Sequence, residues 1–405
     1  MPNYRFCDNV YLVRGYKKAC IYDLEHKKLY HISKEMADFI EDCVCEKKEI
    51  FVRQEINAIK SLEENQILCG GRYTKSAMPD IMELKKSVRI QFAWIEVCNS
   101  CNLRCIHCYN ESSSECHTFM SLEDFKKICD ELIAYGVESI QFIGGEPLCN
   151  KELRQMMEYA SGKFKMIEVF TNGTMIDKTW CEFFKEHHIR TALSVYSYIP
   201  EEHEKVTNLE GSHKKTMQAI EMLKNFEIPY RVATTHMKGI EIGEENTKLF
   251  HINPNKDVIR MAGRGNIGLL SPDLIKKKLI TKNTFSRPLN PDAVKKAVSG
   301  HQCFASKIYI SADLEVYPCV MERRLSHGNL KNATLENILS SEILSFNKDK
   351  IKECSECEFR YACYDCRPDS LTEDIQEKPY YCTYNVRNGF WKNADDVVQT
   401  ILNSK

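Results

Sequence analysis

Cys101-Asn-Leu-Arg-Cys105-Ile-His-Cys108 puts three thiols on one short loop, directly after an apolar run from Ile90 to Val97. Thiolates are soft ligands that select zinc or iron–sulfur clusters. Three of them on one loop can hold three irons of a 4Fe–4S cube and leave the fourth open to another ligand. A zinc knuckle or unpaired core thiols are the plain alternatives. A second array lies near the C-terminal end: Cys303, Cys319, then Cys354, Cys357, Cys363 and Cys366, then Cys382. A zinc ribbon can be written on Cys354, Cys357, Cys363 and Cys366. Seven cysteines, however, are awkward for closed four-ligand zinc sites.

These residues need a scaffold, and the central stretch supplies a pattern for one. Strand-like runs at Arg89–Val97, Glu138–Ile143, Met166–Phe170, Arg190–Tyr196 and Tyr230–Met237 alternate with helix-like runs. That alternation predicts parallel βαβ units. Active sites of such sheets and barrels lie at the carboxyl ends of the strands. The cysteine loop follows the first strand and Gly144-Gly145-Glu146-Pro the second. Two glycines let backbone approach a ligand closely, and a carboxylate beside them suits an ammonium group. Thr171-Asn172-Gly-Thr ends the third strand and Ser194-Val-Tyr-Ser the fourth. Arg260, in Asp257-Val-Ile-Arg-Met-Ala-Gly-Arg-Gly, falls on a further strand.

Before this stretch, Val10–Arg14, Ala19–Leu24 and Lys28–Ile32 read as three strands, the first two a hairpin. Ser33 caps a helix from Lys34 to Cys43, and a second helix covers Phe51–Glu64. Three strands followed by helices is a winged-helix-like layout whose sheet edge can take an extended peptide by strand addition. No basic recognition helix stands out, which argues against DNA. The expected domains are 1–84, a winged-helix-like recognition module; 85–240, the βαβ region; 241–298, a proline-interrupted bridge; and 299–405, the cysteine-rich end.

With 405 residues, 43% of them hydrophobic, the chain can bury a large core, and a net charge of −1 predicts no bulk nucleic-acid or acidic-membrane partner. No apolar run reaches the roughly 20 residues of a membrane helix, and the N-terminus lacks the apolar core of a signal peptide. A cytoplasmic protein is expected, where disulfides are rare. Twenty cysteines then argue for metal ligation. The ten outside the two arrays, Cys7, Cys69 and Cys98 among them, have no ligand spacing and read as small buried hydrophobes.

The three-cysteine loop, the Gly-Gly-Glu and the seven-cysteine array, in this order, resemble the radical S-adenosylmethionine (SAM) enzymes that carry a SPASM extension. His107 stands where the family places an aromatic residue before the third cysteine, and Tyr109 follows that cysteine. The resemblance implies an α/β fold: a partial (β/α)6 TIM-like barrel between the recognition module and a SPASM domain. It implies three 4Fe–4S clusters, one binding SAM on Cys101, Cys105 and Cys108. Of the two auxiliary clusters, one takes Cys303, Cys319 and Cys366, and the other Cys354, Cys357, Cys363 and Cys382. Gly144, Gly145 and Glu146 would hold the SAM amino group, Asn172 and Ser194 its ribose and carboxylate, and Arg260 its carboxylate. Reductive cleavage of SAM would give a 5′-deoxyadenosyl radical that abstracts hydrogen from a substrate.

Cys357-Glu-Phe-Arg-Tyr-Ala-Cys363-Tyr-Asp-Cys366-Arg-Pro and Val13-Arg-Gly-Tyr-Lys-Lys-Ala-Cys-Ile-Tyr-Asp-Leu look like maturases of ribosomally synthesised peptides, including the grasp-with-spasm group. The implied partners are a precursor peptide with a leader and an electron donor such as flavodoxin or ferredoxin, with no nucleic acid and no membrane. The implied product is a cross-link, such as a thioether or carbon–carbon bond. Three positions depart from the pattern: Leu314 replaces an expected glycine, the last spacing of the quartet is shorter, and Ala297 replaces an additional cysteine. The first auxiliary cluster would then have three cysteines plus an open site or an outside ligand such as His301. An enzyme of the anaerobic sulfatase-maturing type, which oxidises a Cys or Ser of a protein, is one alternative; its acidic residue after the hairpin cysteine is Val320 here. A non-catalytic zinc or peptide-binding protein is another.

Overall fold

A computed structural model describes residues 4–45, 52–70, 76–243, 257–339 and 342–404. The expected helix start at Phe51, and Pro254 of the bridge, lie outside the described residues.

The N-terminal module contains an antiparallel sheet of β2 (Val10–Arg14), β3 (Lys18–Asp23) and β4 (Lys28–Ser33), in that order. Ser33 Oγ accepts from Met36 N at 3.2 Å and caps α1 (Lys34–Val44). Side chains alternate across a strand, and here both faces are buried. Val10, Leu12, Ala19 and Ile21 pack on Ala37, Ile40 and Val44 of α1. Tyr11, Val13, Cys20 and Tyr22 pack on Phe359, Tyr361 and Tyr384 near the C-terminal end. A short strand absent from the sequence reading, β1 (Tyr4–Phe6), pairs antiparallel with β5 (Leu68–Gly70). Beside that pairing Cys7 and Cys69 form a disulfide, with Cα atoms 5.3 Å apart. This overturns the expectation of unpaired thiols: strand pairing brings two distant cysteines within bonding reach.

Five parallel strands form the central sheet: β6 (Phe92–Glu96), β7 (Ser139–Ile143), β8 (Met166–Thr171), β9 (Arg190–Ser194) and β10 (Tyr230–Ala233). Their order follows the chain, so each connection joins neighbouring strands. The expected sixth strand is reduced to one parallel bridge, His236 to Val258, among the described residues. At the opposite edge β11 (Lys307–Ile310) pairs parallel with β6 and continues antiparallel into β12 (Glu315–Tyr317) and β13 (Gly328–Asn329). The C-terminal hairpin is thus part of the barrel sheet. Leu314, at the hairpin turn where glycine was expected, has φ 71° and is buried.

Helices α3 (Leu122–Tyr135), α4 (Leu153–Ala160), α5 (Lys178–Glu186) and α7 (Ser212–Asn225) cover the outer face of the sheet. Helix α6 (Pro200–Thr207) was not foreseen. The core is continuous from Ile95 and Phe142 of the sheet to Phe125 and Met156 of the helices. No helix among the described residues is long and apolar enough to cross a membrane.

Asn150 pins the strand end from which the cysteine loop departs. Its amide is buried and donates to Val97 O at 2.8 Å and Met120 O at 3.0 Å. Asn150→Ala removes the donor to Met120 O and one of the two donors to Val97 O, which keeps its bond from Met120 N, so the fold should lose about 1–3 kcal/mol. A denaturant midpoint that stays at the parent value would show that these bonds carry no weight.

Candidate active site

The cysteine loop leaves β6 and folds across the carboxyl ends of the neighbouring strands. Its shape is fixed by backbone pairing with the next loop. Gly145 N donates to Cys98 O and Glu146 N to Ser100 O, both at 2.8 Å. A Cβ on Gly144 would strike Cys98 O, and one on Gly145 would strike Ser100 O. The two glycines therefore admit the cysteine loop's own backbone, a closer reason for their presence than approach to a ligand. From the far side, Arg264 Nε donates to Cys105 O at 2.8 Å and its Nη2 to Ser112 O at 2.9 Å. Arg264 N donates to Cys108 O at 3.0 Å. Gly263, with φ 55°, leaves no room for a Cβ against the carbonyls of Cys108 and Tyr109. Sequence reading passed over this clamp, although Gly-Arg-Gly was its signal.

Cys101, Cys105 and Cys108 line one cavity of about 320 Å³. Gly144, Gly145, Asn172, Ser194, His107, Tyr109 and Arg260 line it too. All the residues singled out from the sequence around the loop are thus brought together, with one exception. Glu146 is fully buried and its carboxylate turns away from the cavity. Oε1 accepts from Thr171 Oγ1 at 2.6 Å and Leu148 N at 3.2 Å, and Oε2 accepts from Asn172 N at 2.8 Å. In this geometry the carboxylate braces the end of β8 through Thr171 and Asn172, both of which line the cavity. Burial raises the Glu146 carboxyl to about 6, with these hydrogen bonds opposing the rise.

Asn172 Nδ2 donates to Asn102 Oδ1 at 2.9 Å and stands 4.0 Å from Cys101 Sγ. Tyr196, which sequence reading missed, also lines the cavity beside Ser194 and Cys105. Its ring meets His107 edge-on at 4.8 Å. Burial lowers the His107 imidazole to about 4, so it is neutral at ordinary pH. Arg260 is drawn to the C-terminal side: Nη1 is 3.8 Å from Asp369 Oδ2, and Cys366 is its foremost electrostatic partner. The expected contact to a SAM carboxylate competes with that pull.

The seven C-terminal cysteines fall in two neighbourhoods, and as placed no three or more His, Cys, Asp or Glu among the described residues close into a metal-holding group. Cys303, Cys319 and Cys366 lie near one another. Cys354, Cys357, Cys363 and Cys382 line one small cavity with Phe359 and Trp391. His301 Nε2 is 3.2 Å from Asp365 O, and its Nδ1 is buried without a hydrogen-bond partner. Ala297 packs in an apolar cluster. Burial pushes Cys105, Cys363 and Cys366 up to about 12 and Cys319 and Cys354 to about 11. Thiols buried this way are protonated unless a metal holds them as thiolates, and iron fits a donor set made of sulfur alone.

Residues 95–250 match the radical SAM superfamily, and residues 303–367 match the SPASM iron–sulfur cluster-binding domain. The chain carries a radical SAM domain and a SPASM domain and is an enzyme of the radical SAM type, and these domains imply 4Fe–4S clusters and SAM. It is 27% identical over 340 residues to the antilisterial bacteriocin subtilosin biosynthesis protein AlbA of Bacillus subtilis, covering 76% of this chain and 73% of AlbA. It is 23% identical to an AdoMet-dependent heme synthase of Methanosarcina barkeri, covering 72% of this chain and 95% of that protein. The fold matches anSMEcpe with bound AdoMet, with TM-score 0.53 and 20% identity over 72% of this chain and 93% of the other. It also matches Streptococcus suis SuiB bound to S-adenosylmethionine, with TM-score 0.52 and 13% identity over 92% and 99%.

The brace on β8 is pH-dependent. A carboxyl raised above its unfolded value of 4.5 favours the fold below that value, and the contribution is lost as pH rises through about 6. Thr171→Val deletes one donor to the carboxylate, so its penalty, about 1–3 kcal/mol, should be larger at pH 7.5 than at pH 5. Equal penalties at the two pH values, read from chemical denaturation, would exclude Glu146 as their source.

Proposed function

We propose that this protein is a maturase of ribosomally made peptides, which cross-links residues of a precursor peptide through a thioether or carbon–carbon bond. The observation that carries the reading is a shared wall. Met321, two residues beyond Cys319 in the C-terminal hairpin, lines the same cavity as Cys101, Cys105 and Cys108. Tyr109, half-buried, lines that cavity and has both Cys108 and Cys319 as electrostatic neighbours. A substrate segment in this cavity meets both cysteine groups. AlbA, alike over three quarters of the chain, acts in making a bacteriocin.

Cys101, Cys105 and Cys108 would hold a 4Fe–4S cluster, which with SAM supplies the 5′-deoxyadenosyl radical. Gly144, Gly145, Asn172 and Ser194 would shape the SAM pocket, with Tyr196 beside Ser194 and Cys105. His107 and Tyr109 close the cavity against water. The two C-terminal cysteine groups would hold auxiliary clusters that accept the substrate electron or a substrate thiolate, with His301 Nδ1 as a candidate outside ligand. An external donor such as flavodoxin or ferredoxin supplies the electron, in the cytoplasm. The leader would add a strand to β4, which pairs only with β3 among the described residues. Oxidation of the sulfatase-maturing kind is disfavoured: Val320 is no base, and the nearby Glu322 is buried and held by Arg324, 2.7 Å from its Oε2.

The test is anaerobic incubation with SAM, a strong reductant and the candidate peptide. The parent should form 5′-deoxyadenosine and a peptide lighter by two hydrogens, and Cys101→Ala/Cys105→Ala/Cys108→Ala neither. Nucleoside without any change in peptide mass would retain the radical chemistry and remove the peptide. Glu146 offers a finer check. As a brace, Glu146→Gln should weaken SAM binding by about tenfold or less, the worth of one hydrogen bond. Direct loss of a buried charge partner would cost about 2–5 kcal/mol instead, a drop of 30-fold or more.

A further inference from the structure

The N-terminal module does not hang from the enzyme; its sheet packs on the segment that bears Cys357 of one cysteine group. Glu358, the neighbour of Cys357, is buried under the module's sheet. Its Oε1 lies 2.8 Å from His31 Nε2 on β4 and accepts from Tyr384 Oη. Its main-chain oxygen accepts from Tyr22 Oη on β3 at 2.9 Å. At the hairpin turn, Tyr16 N donates to Glu356 O at 2.7 Å, and a Cβ on Gly15 would strike the Glu358 carboxylate. Arg360 Nη1 donates to Arg14 O at 2.8 Å. These bonds all fall within four residues of the segment bearing Cys357, and Cys20 of β3 shares their apolar cluster with Cys357.

We infer that Glu358 is a positioning residue through which the N-terminal sheet holds Cys357 in place, so that loading of the Cys354/Cys357/Cys363/Cys382 site depends on the module. The inference rests on reading those four cysteines as an auxiliary cluster site. Groups that orient ligands tune a metal site as well as its occupancy. Because His31 sits on the strand with the open edge, an added strand at that edge would act one hydrogen bond away from Glu358. Removing the whole module would strip this packing too, so truncation cannot isolate peptide binding.

The test needs neither SAM nor peptide. In full-length protein carrying Cys101→Ala/Cys105→Ala/Cys108→Ala, all remaining cluster iron belongs to the C-terminal cysteines. Iron, sulfide and the electron paramagnetic resonance spectrum of the reduced protein are measured after anaerobic reconstitution. Glu358→Ala should lower that iron by about half, one cluster of two. His31→Ala, which removes one hydrogen bond from a partly exposed ring, should keep the iron and shift the signal of one auxiliary cluster. Leu12→Ala perturbs the opposite face of the same sheet, against α1, and should do neither. Parent-like iron and spectra in both Glu358→Ala and His31→Ala would overturn the inference. So would an equal loss of iron in Leu12→Ala, since general loosening of the module would then suffice. A parent background without cluster iron would overturn both the inference and the cluster assignment.

Discussion

Two backbone hydrogen bonds, from Gly145 to Cys98 and from Glu146 to Ser100, set the shape of everything around the three thiols. They continue the parallel β6–β7 ladder beyond the strand ends, where pairing normally stops. Continuation is possible because neither glycine carries a Cβ into the facing carbonyls. Glu146 then reaches forward and ties the next strand end, through Thr171 and Asn172. One motif thus connects three successive strands. A cysteine loop held this way is preorganised, so little conformational entropy remains to be lost when ligands bind.

The same economy governs the junction with the C-terminal region. Because β11 pairs directly with β6, the hairpin that bears Cys319 is carried by the strand that launches the cysteine loop. Polar side chains lock the junction. Glu96, at the end of β6, accepts from Tyr309 Oη and from Asn110 Nδ2. Arg323 Nη2 donates to Tyr309 Oη at 2.7 Å and to Asn110 Oδ1 at 3.0 Å. A buried carboxylate is tolerable only when satisfied in this manner. The network therefore fixes the spacing between Cys108 and Cys319 without any covalent link.

How much of this could be read from the chain follows from locality. The strand–helix alternation was legible because it is periodic, and Ser33 marked a helix start that the structure uses as a cap. The cysteine groups were legible through spacing and resemblance. What sequence reading missed depends on contacts between distant segments. The Cys7–Cys69 bond needs β1 beside β5, and β1, three residues long, does not announce itself. The bracing of β8 by the buried Glu146 depends on donors 25 and 26 residues away. Arg260 looked like a residue for SAM because it sits on a strand-like run, but the charge that attracts it, Asp369, lies 109 residues on in the C-terminal loop.

Charge balance explains why so many cations are buried among the C-terminal cysteines. Desolvation opposes each thiolate that metal ligation requires. Nearby cations offset this in pairs: Lys348 pulls down Cys354 and Cys363, Lys378 acts on Cys382, and Arg260 acts on Cys366. The cations are themselves held in register by carboxylates. Lys348 is 2.5 Å from Asp365 Oδ1, Arg367 is bound to the same carboxylate, and Lys278 Nζ is 2.8 Å from Asp369 Oδ2. Asp365 and Asp369 flank Cys366, so each acid fixes a cation on one side of a cysteine ligand candidate. A buried ion pair of this kind is weak evidence for stability, since apolar packing would serve as well. Its value lies in where it leaves positive charge: Asp365 is shared by Lys348 and Arg367, and Lys348 acts on Cys354 and Cys363 as well as on the acid.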